Sequence, residues 1–363
     1  MSLQLTLYPA MDGDCLLVNW GSSSKTWHMI IDLGRNGTYK RIRQDLAALG
    51  DVELFVMSHI DADHIAGAIP MVRENVAPLS PKRVWYNARP QLAAAEDRHS
   101  RVEPFGSRQG EKLARGIVKF QWPWNREFES EIVSTDSDEA KEPISIAGGL
   151  TLRILSPSDT GLVSLLPNWD AELKKANLRT FDPDEDDNPL NSKFEPFGFL
   201  DVQKLANEDY RRDQTTANGA AIAFVAEFEG KRILLAADAH SEVLEAALKP
   251  LAQLEGGRYR VDLFKISHHG SKGNTSKALS DLLDCTHFAI STNGDRHEHP
   301  DPETIARFLA ADKDRYKTFY FNYLQPQTIA WDNIRLKRTW NYNCVFPVAE
   351  EGHPANGTLV IDV

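Results

Sequence analysis

Residues 3–7 alternate hydrophobic and polar positions, residues 14–19 and 27–32 are short, largely apolar runs, and turn-forming residues lie between them, so the chain is expected to open with three short strands. The period then changes. Ile42, Leu46 and Leu49 share one face of a helix expected over residues 39–49, and Gly50 fits the position just past its end. Residues 52–57 are uniformly apolar, the pattern of a buried strand. The segment after His64 reads as helical, with Pro70 as its kink or end. From about Arg89 to Asp213 the pattern is broken by scattered proline, tryptophan and charge, and residues 90–213 are expected to be an insertion of loops and short elements at the mouth of the fold. This stretch contains an acidic run at residues 182–187. Its bland reading is a solvated loop, and its functional reading is a gate that screens anionic ligands.

Regularity returns at Gly219. Residues 220–228 and 232–237 read as a hairpin with Glu229-Gly230 at the turn. Residues 241–251 and 276–283 read as helices, and 261–267 and 287–292 as strands. Asp301 is placed to cap a helix that has Pro302 at its first position. Residues 318–363 are expected to form a C-terminal extension, with 358–363 as an edge strand. Alternating strands and helices in both halves, without an internal repeat, predict an α/β layered fold, read as one domain over residues 1–363.

Composition narrows the function. Hydrophobic residues make up 42% and charged residues 26% of the 363, as in a folded globular protein. The net charge of −11 argues against a generic duplex-DNA binder, which needs a basic face. The three cysteines are odd in number and far apart, which reads as reduced thiols in a cytosolic protein. Residues 1–14 lack a basic segment followed by a long apolar run, and the apolar stretches are strand-sized. The expected location is cytoplasmic, with no membrane partner.

Six of the eleven histidines fall in three short clusters, each directly after an expected strand, where layered α/β folds build their sites. Ser58-His59-Ile60-Asp61-Ala62-Asp63-His64 packs two imidazoles and two carboxylates behind an apolar strand. Such groups repel or stay solvated unless a cation organises them, and imidazole with carboxylate suits Zn, Mn or Fe. The alternative is a solvated turn before a helix, with Asp63 as its cap. A second apolar strand ends at Asp238; alone, this is as readily a turn or cap, and His240 beside it reads as exposed or capping. Lys265-Ile266-Ser267-His268-His269-Gly270-Ser271 offers one ligand, one outer or acidic group and backbone donors, or else core and surface histidines side by side. Asn293-Gly294-Asp295-Arg296-His297-Glu298-His299-Pro300 is the weakest of these and reads equally as a polar loop.

In order along the chain, these segments resemble the metallo-β-lactamase superfamily and, more narrowly, the hydrolase domain of ComEC-type DNA-uptake channels and its stand-alone bacterial relatives. Asp12-Gly13-Asp14-Cys15 is similar to the family's Gly-Asp turn, and Ile31-Asp32-Leu33-Gly34 to its Asp-x-Gly turn. Ser58 to Gly67 fits Ser-His-x-Asp-x-Asp-His-x-x-Gly, and Asn218-Gly219 opens the next hairpin. Asp238 matches the aspartate of a Gly-Asp motif, His268 to Ser271 match His-His-Gly-Ser, and His299-Pro300 the late His-Pro. The sequence departs from the wider superfamily in three places. Asp61 stands where histidine is usual, Ala237 stands where glycine is frequent, and the histidine normally found between the first motif and Asp238 has no clear counterpart. His99 is alone in that interval and reads as an insertion residue.

The resemblance implies a four-layer αβ/βα sandwich with two divalent ions, Zn or Mn, at one sheet edge. It puts His59 and Asp61 mainly on one ion, Asp63 and His64 mainly on the other, and Asp238 between them. His269, or His268 in its place, completes a shell. The remaining histidine of that pair, or His299, is expected to stabilise charge or protonate a leaving group, so Asp63, His268 and His299 are the catalytic candidates. Ser271 and Lys272, with the amides of residues 270–274, are expected to hold a substrate phosphate. The leading expectation is a phosphodiesterase, in particular a nuclease, with Lys265, Lys272, Arg211 and Arg212 as local positive charge. The alternatives are a hydrolase of a lactone or choline phosphoester, or a non-catalytic component that binds a nucleotide or the partner proteins of a bacterial operon, such as a defence system.

Overall fold

The computed structural model describes residues 2–99, 112–172, 200–348 and 357–363. The acidic run at 182–187 lies outside them. The first strands are β1 (Ser2–Leu7), β2 (Leu16–Ser22), β3 (Lys25–Ile31), β4 (Asp51–Val52), β5 (Leu54–Val56), β6 (Ser80–Pro81), β7 (Val84–Trp85), β8 (Ile144–Ser145) and β9 (Thr151–Ser156). They are followed by β10 (Ala223–Phe228), β11 (Lys231–Leu235), β12 (Tyr259–Arg260), β13 (Leu263–Lys265), β14 (Leu283–Asp284), β15 (His287–Ile290), β16 (Lys317–Phe321), β17 (Tyr342–Val345) and β18 (Leu359–Asp362).

Two large sheets organise the α/β fold. One runs β18-β1-β2-β3-β5-β7 and the other β17-β16-β15-β13-β11-β10-β9-β8. The strands alternate their side chains between two apolar surroundings. Met29 and Ile31 of β3 join Leu152, Phe224 and Leu235 in a cluster shared by both sheets, while Ile30 between them joins Ile42, Leu46 and Met71 on the helices behind the first sheet. On the second sheet Leu263 enters the shared cluster, and Phe264 packs with Leu244, Leu279 and Phe308 of the outer helices.

Local chemistry explains most elements. Tyr39, Ile42 and Leu46 bury one stripe of the helix Asn36–Leu49, and Gly50 ends it at φ 67°. Glu229 and Gly230 both take positive φ between β10 and β11, as a tight hairpin turn requires. Strands β11, β13, β15, β16 and β17 are parallel, so the ends of β11, β13 and β15 open on one edge. The carbonyl of Ser58, just past β5, accepts from the amide of Ile222 just before β10 (2.9 Å), bringing the end of β5 to that edge.

Several expectations need correction. Residues 52–57 are not one strand: Val52 pairs in β4 with β6, and Leu54–Val56 lies between β3 and β7. Pro70 neither kinks nor ends its helix. It is the third residue of Ala68–Arg73, where its missing N–H has no intrahelical partner to lose, and the break falls before it at Ala66-Gly67. The stretch 90–213 is not all loops at a mouth, because β9 pairs along β10 within the second sheet. Residues 318–363 supply strands to both sheets, and β18 is the edge strand expected there. His99 ends the helix Arg89–His99. No helix among the described residues is long and apolar enough to cross a membrane.

Candidate metal centre

Three strand ends deliver the site. Asp61 follows β5 and precedes the short helix Ala62–Ile65, which carries Asp63 and His64. Asp61, not Asp63, holds the N-cap position, and its side chain makes no capping bond there. Asp238 follows β11, after Ala237 at φ 45°. That left-handed conformation favours glycine, which accounts physically for the residue type the resemblance leads one to expect. His268 and His269, after β13, are both left-handed (φ 47° and 53°), a strained turn that turns consecutive rings toward one carboxylate. Two glycines let the loops close. A Cβ on Gly13 would lie 1.7 Å from the Asp63 carbonyl oxygen, and one on Gly67 would lie 1.9 Å from that of Leu33.

Asp238 is the centre of the arrangement. Its Oδ1 lies 3.4 Å from His64 Nε2 and 3.7 Å from His269 Nε2. Asp63 Oδ2 completes this group, 3.3 Å from His269 Nε2 and 3.8 Å from His64 Nε2. The donor atoms of Asp63, His64, Asp238 and His269 all lie within 4.8 Å of one another. Oδ2 of Asp238 faces a second group, 3.7 Å from His59 Nε2 and 3.6 Å from His268 Nε2. Asp61 Oδ2 lies 3.6 Å from His59 Nε2. All six residues expected as metal ligands (His59, Asp61, Asp63, His64, Asp238 and His269) are brought together. His268, expected in an acid or outer role or as an alternative to His269, stands beside the His59 group while His269 stands in the other. The two histidines of the pair face different oxygens of Asp238.

The protonation pattern shows that the residues fit a cation. His64 Nδ1 donates to Asp32 Oδ2 (2.7 Å), and His269 Nδ1 donates to the Ser291 carbonyl (2.9 Å). Ser58 Oγ donates to Asp32 Oδ2 (2.6 Å) and so accepts from His59 Nδ1 (2.9 Å). His268 Nδ1 donates to Asn274 Oδ1 (2.8 Å). With each Nδ1 engaged, the four Nε2 atoms are the free ends, the orientation that outer hydrogen bonds give metal-ligating histidines. His59 Nε2 and Asp238 Oδ1 are buried without a hydrogen-bond partner, an arrangement costly to leave unfilled.

Charge points the same way. Burial pulls His269 down, yet Asp238, Asp14 and Asp63 outweigh it and carry its pKa up to about 10. Burial likewise opposes His64, and Asp238, Asp32 and Asp63 raise it well above the usual histidine range. Asp63 and Asp238, despite burial, are held far below the usual carboxylate range, with His64 the strongest opposing influence on each. The pocket therefore demands positive charge, and its nitrogen and carboxylate donors match Zn, Mn or Fe.

The other expected residues are placed differently. His299 lies one ring outward, 5.5 Å from the His268 ring, with its Nδ1 3.5 Å from Asp301 Oδ2; burial first, then His268, His269 and His297, hold its pKa down to about 3. Exposed His297 stacks on it at 5.8 Å. Lys265 is no source of surface charge: its side chain is 0% exposed and its Nζ lies 2.8 Å from Asp14 Oδ2. Lys272 Nζ is tied to Glu303 (2.8 Å), and Ser271 Oγ accepts from the Gly273 amide, so both groups expected at a phosphate are engaged within the protein. Asp301 sits at the N-cap of Pro302–Ala311 but accepts from the Lys272 amide instead of capping. His240 precedes the helix Ser241–Leu254, with Nε2 3.7 Å from Asp213 Oδ2.

Sequence reasoning gave Asp32 no more than a turn. Yet it accepts from the Ser58 amide, the Ser58 hydroxyl and His64, and so orients His64 directly and His59 through Ser58. A carboxylate directly behind the apolar Met29-Ile30-Ile31 was the available signal. Asn274, Ser291 and the Asp14–Lys265 pair carried no such signal. No protein-family model matches the chain, and no curated protein matches it.

Proposed function

We propose that this chain is a two-metal hydrolase of the metallo-β-lactamase superfamily that cleaves phosphodiesters. The observation that carries this reading is the division of Asp238: its two oxygens face two separate histidine–carboxylate groups, as a carboxylate bridging two ions would. Asp63, His64 and His269 would hold one ion with Asp238, and His59, Asp61 and His268 the other. Bound divalent ions, Zn or Mn, would supply Lewis-acid polarisation and a water of pKa about 7. The three core clusters, one shared by the sheets and two under the outer helices, support a four-layer sandwich.

The protein's own groups do the positioning. Asp32, Ser58, Ser291 and Asn274 fix the rings. Asp61 and His268, with side chains 31% and 24% exposed, are the solvent side of the centre, where substrate arrives. His299, behind His268, has an Nδ1 that makes no hydrogen bond and lies 3.5 Å from Asp301 Oδ2, and it is the residue we assign to hydrogen-bond a leaving group. The test is incubation of the metal-loaded protein, with Mn and separately with Zn, with single-stranded DNA, RNA, cyclic dinucleotides and a chromogenic phosphodiester. Cleavage that disappears in Asp63→Ala is expected. Survival of every phosphodiester sinks the reading, and turnover of lactones or choline phosphoesters alone would replace it.

A further inference from the structure

The centre is built from carboxylates in a chain of net charge −11, so an anionic strand needs local cations to settle there. With Lys265 buried against Asp14 and Lys272 tied to Glu303, Arg211 and Arg212 are left of the four basic residues expected around the His-His-Gly-Ser turn. Arg211 and Arg212 are exposed, and no ion pair joins either to a described residue. Their loop is pinned. The Tyr210 hydroxyl donates to the Gly273 carbonyl (3.0 Å), and the Asp213 amide donates to the same oxygen (2.9 Å). The Asp213 carboxylate accepts from Asn218 (2.6 Å) and Asn274 (3.1 Å) and lies 3.7 Å from His268 Nδ1. Both ends of a four-residue segment are thus anchored to one carbonyl, three residues past the turn's glycine, and the two arginines occupy the bulge between. Exposed Glu208 and Asp209 precede them, so the positive patch is narrow. Its width suits a few phosphates of one strand rather than a duplex face.

We propose that Arg211 and Arg212 form an anion-binding arm that grips phosphates flanking the reacting one in a single-stranded nucleic acid. The proposal rests on the phosphodiesterase reading. Guanidinium groups bind phosphate through charge-assisted, often paired hydrogen bonds, and each engaged phosphate adds to the salt dependence of binding.

The experiment compares wild type, Arg211→Ala/Arg212→Ala and a control, Lys249→Ala, whose exposed lysine lies on the helix Ser241–Leu254. Binding of a fluorescent oligothymidylate is followed by anisotropy in EDTA, and its cleavage is followed with Mn. The arginine variant is expected to bind about tenfold more weakly, with a salt slope smaller by about 1.4, and to raise KM far more than it lowers kcat. Lys249→Ala is expected to match wild type. Equal affinity, salt slope and KM in wild type and the arginine variant overturn the arm while leaving the phosphodiesterase standing. Wild type that cleaves no phosphodiester overturns that reading, whatever the arginines do.

Discussion

His64 and His269 aim their Nε2 atoms at each other across 3.3 Å of buried space. Each ring spends its Nδ1 proton elsewhere, on Asp32 and on the Ser291 carbonyl. Two lone pairs facing at that distance repel, unless a proton or a cation lies between them. With Asp63 and Asp238 at the same point, a divalent ion satisfies all four residues at once.

Metal stoichiometry should divide along Asp238. Elemental analysis is expected to find about two ions per chain in wild type. Asp63→Ala or His64→Ala should lose one, Asp61→Ala the other, and Asp238→Asn both. Loss of both ions in every variant would mean a single shared site.

Asp32 should act through the rings it holds. Asp32→Asn removes the carboxylate that orients His64 and, through Ser58, His59. Metal affinity, measured by competition with a chelator, is expected to fall roughly 10- to 100-fold, the usual range for such outer partners. Unchanged affinity with a normal melting temperature would remove Asp32 from this role.

The buried Lys265–Asp14 pair should be cheap to remove together and expensive to split. Lys265→Met leaves Asp14 as a buried charge with only His269, 3.6 Å away, beside it, which is expected to cost up to about 3–5 kcal/mol. The double variant Lys265→Met/Asp14→Asn should recover much of this in urea unfolding. Additive losses would show that the two do not compensate each other.

Lys317 should make stability rise with alkaline pH. Its ammonium is buried, donating to the carbonyls of Asp312 and Arg315, and burial pulls its pKa from the ordinary lysine value down to about 8. The folded chain therefore gives up this proton before the unfolded chain does. Between about pH 8 and 10.5 the unfolded state binds more protons, so the folded state gains as pH rises. Below pH 8 both states are charged, and the burial penalty stands in full. Lys317→Met is expected to lose this upward slope in melting temperature. An identical slope in both proteins would trace the effect to another group.

Much of this was legible along the chain, because the signals are local. Period 2 at β1 and period 3.6 at Asn36–Leu49 follow from which face each residue buries. The Glu229-Gly230 turn and the Gly50 end of the first helix are set by backbone preferences of single residues. The ligand types in His59–His64 and His268-His269 stood out because each run breaks an apolar strand. Pairing partners were not legible: whether Val52 belongs with Leu54, or β9 with β10, depends on segments far away in sequence.

The sequence by itself determined the α/β alternation, the apolar stripes and the inventory of candidate metal-ligand side chains, since each depends on a residue and its near neighbours. Only the tertiary structure decided that Asp238 divides between two groups, that His268 and His269 take opposite sides of it, and that Lys265 serves Asp14 rather than solvent. Those outcomes depend on distances between residues up to 251 positions apart, which are set by how two sheets and their loops pack, and no local pattern encodes them.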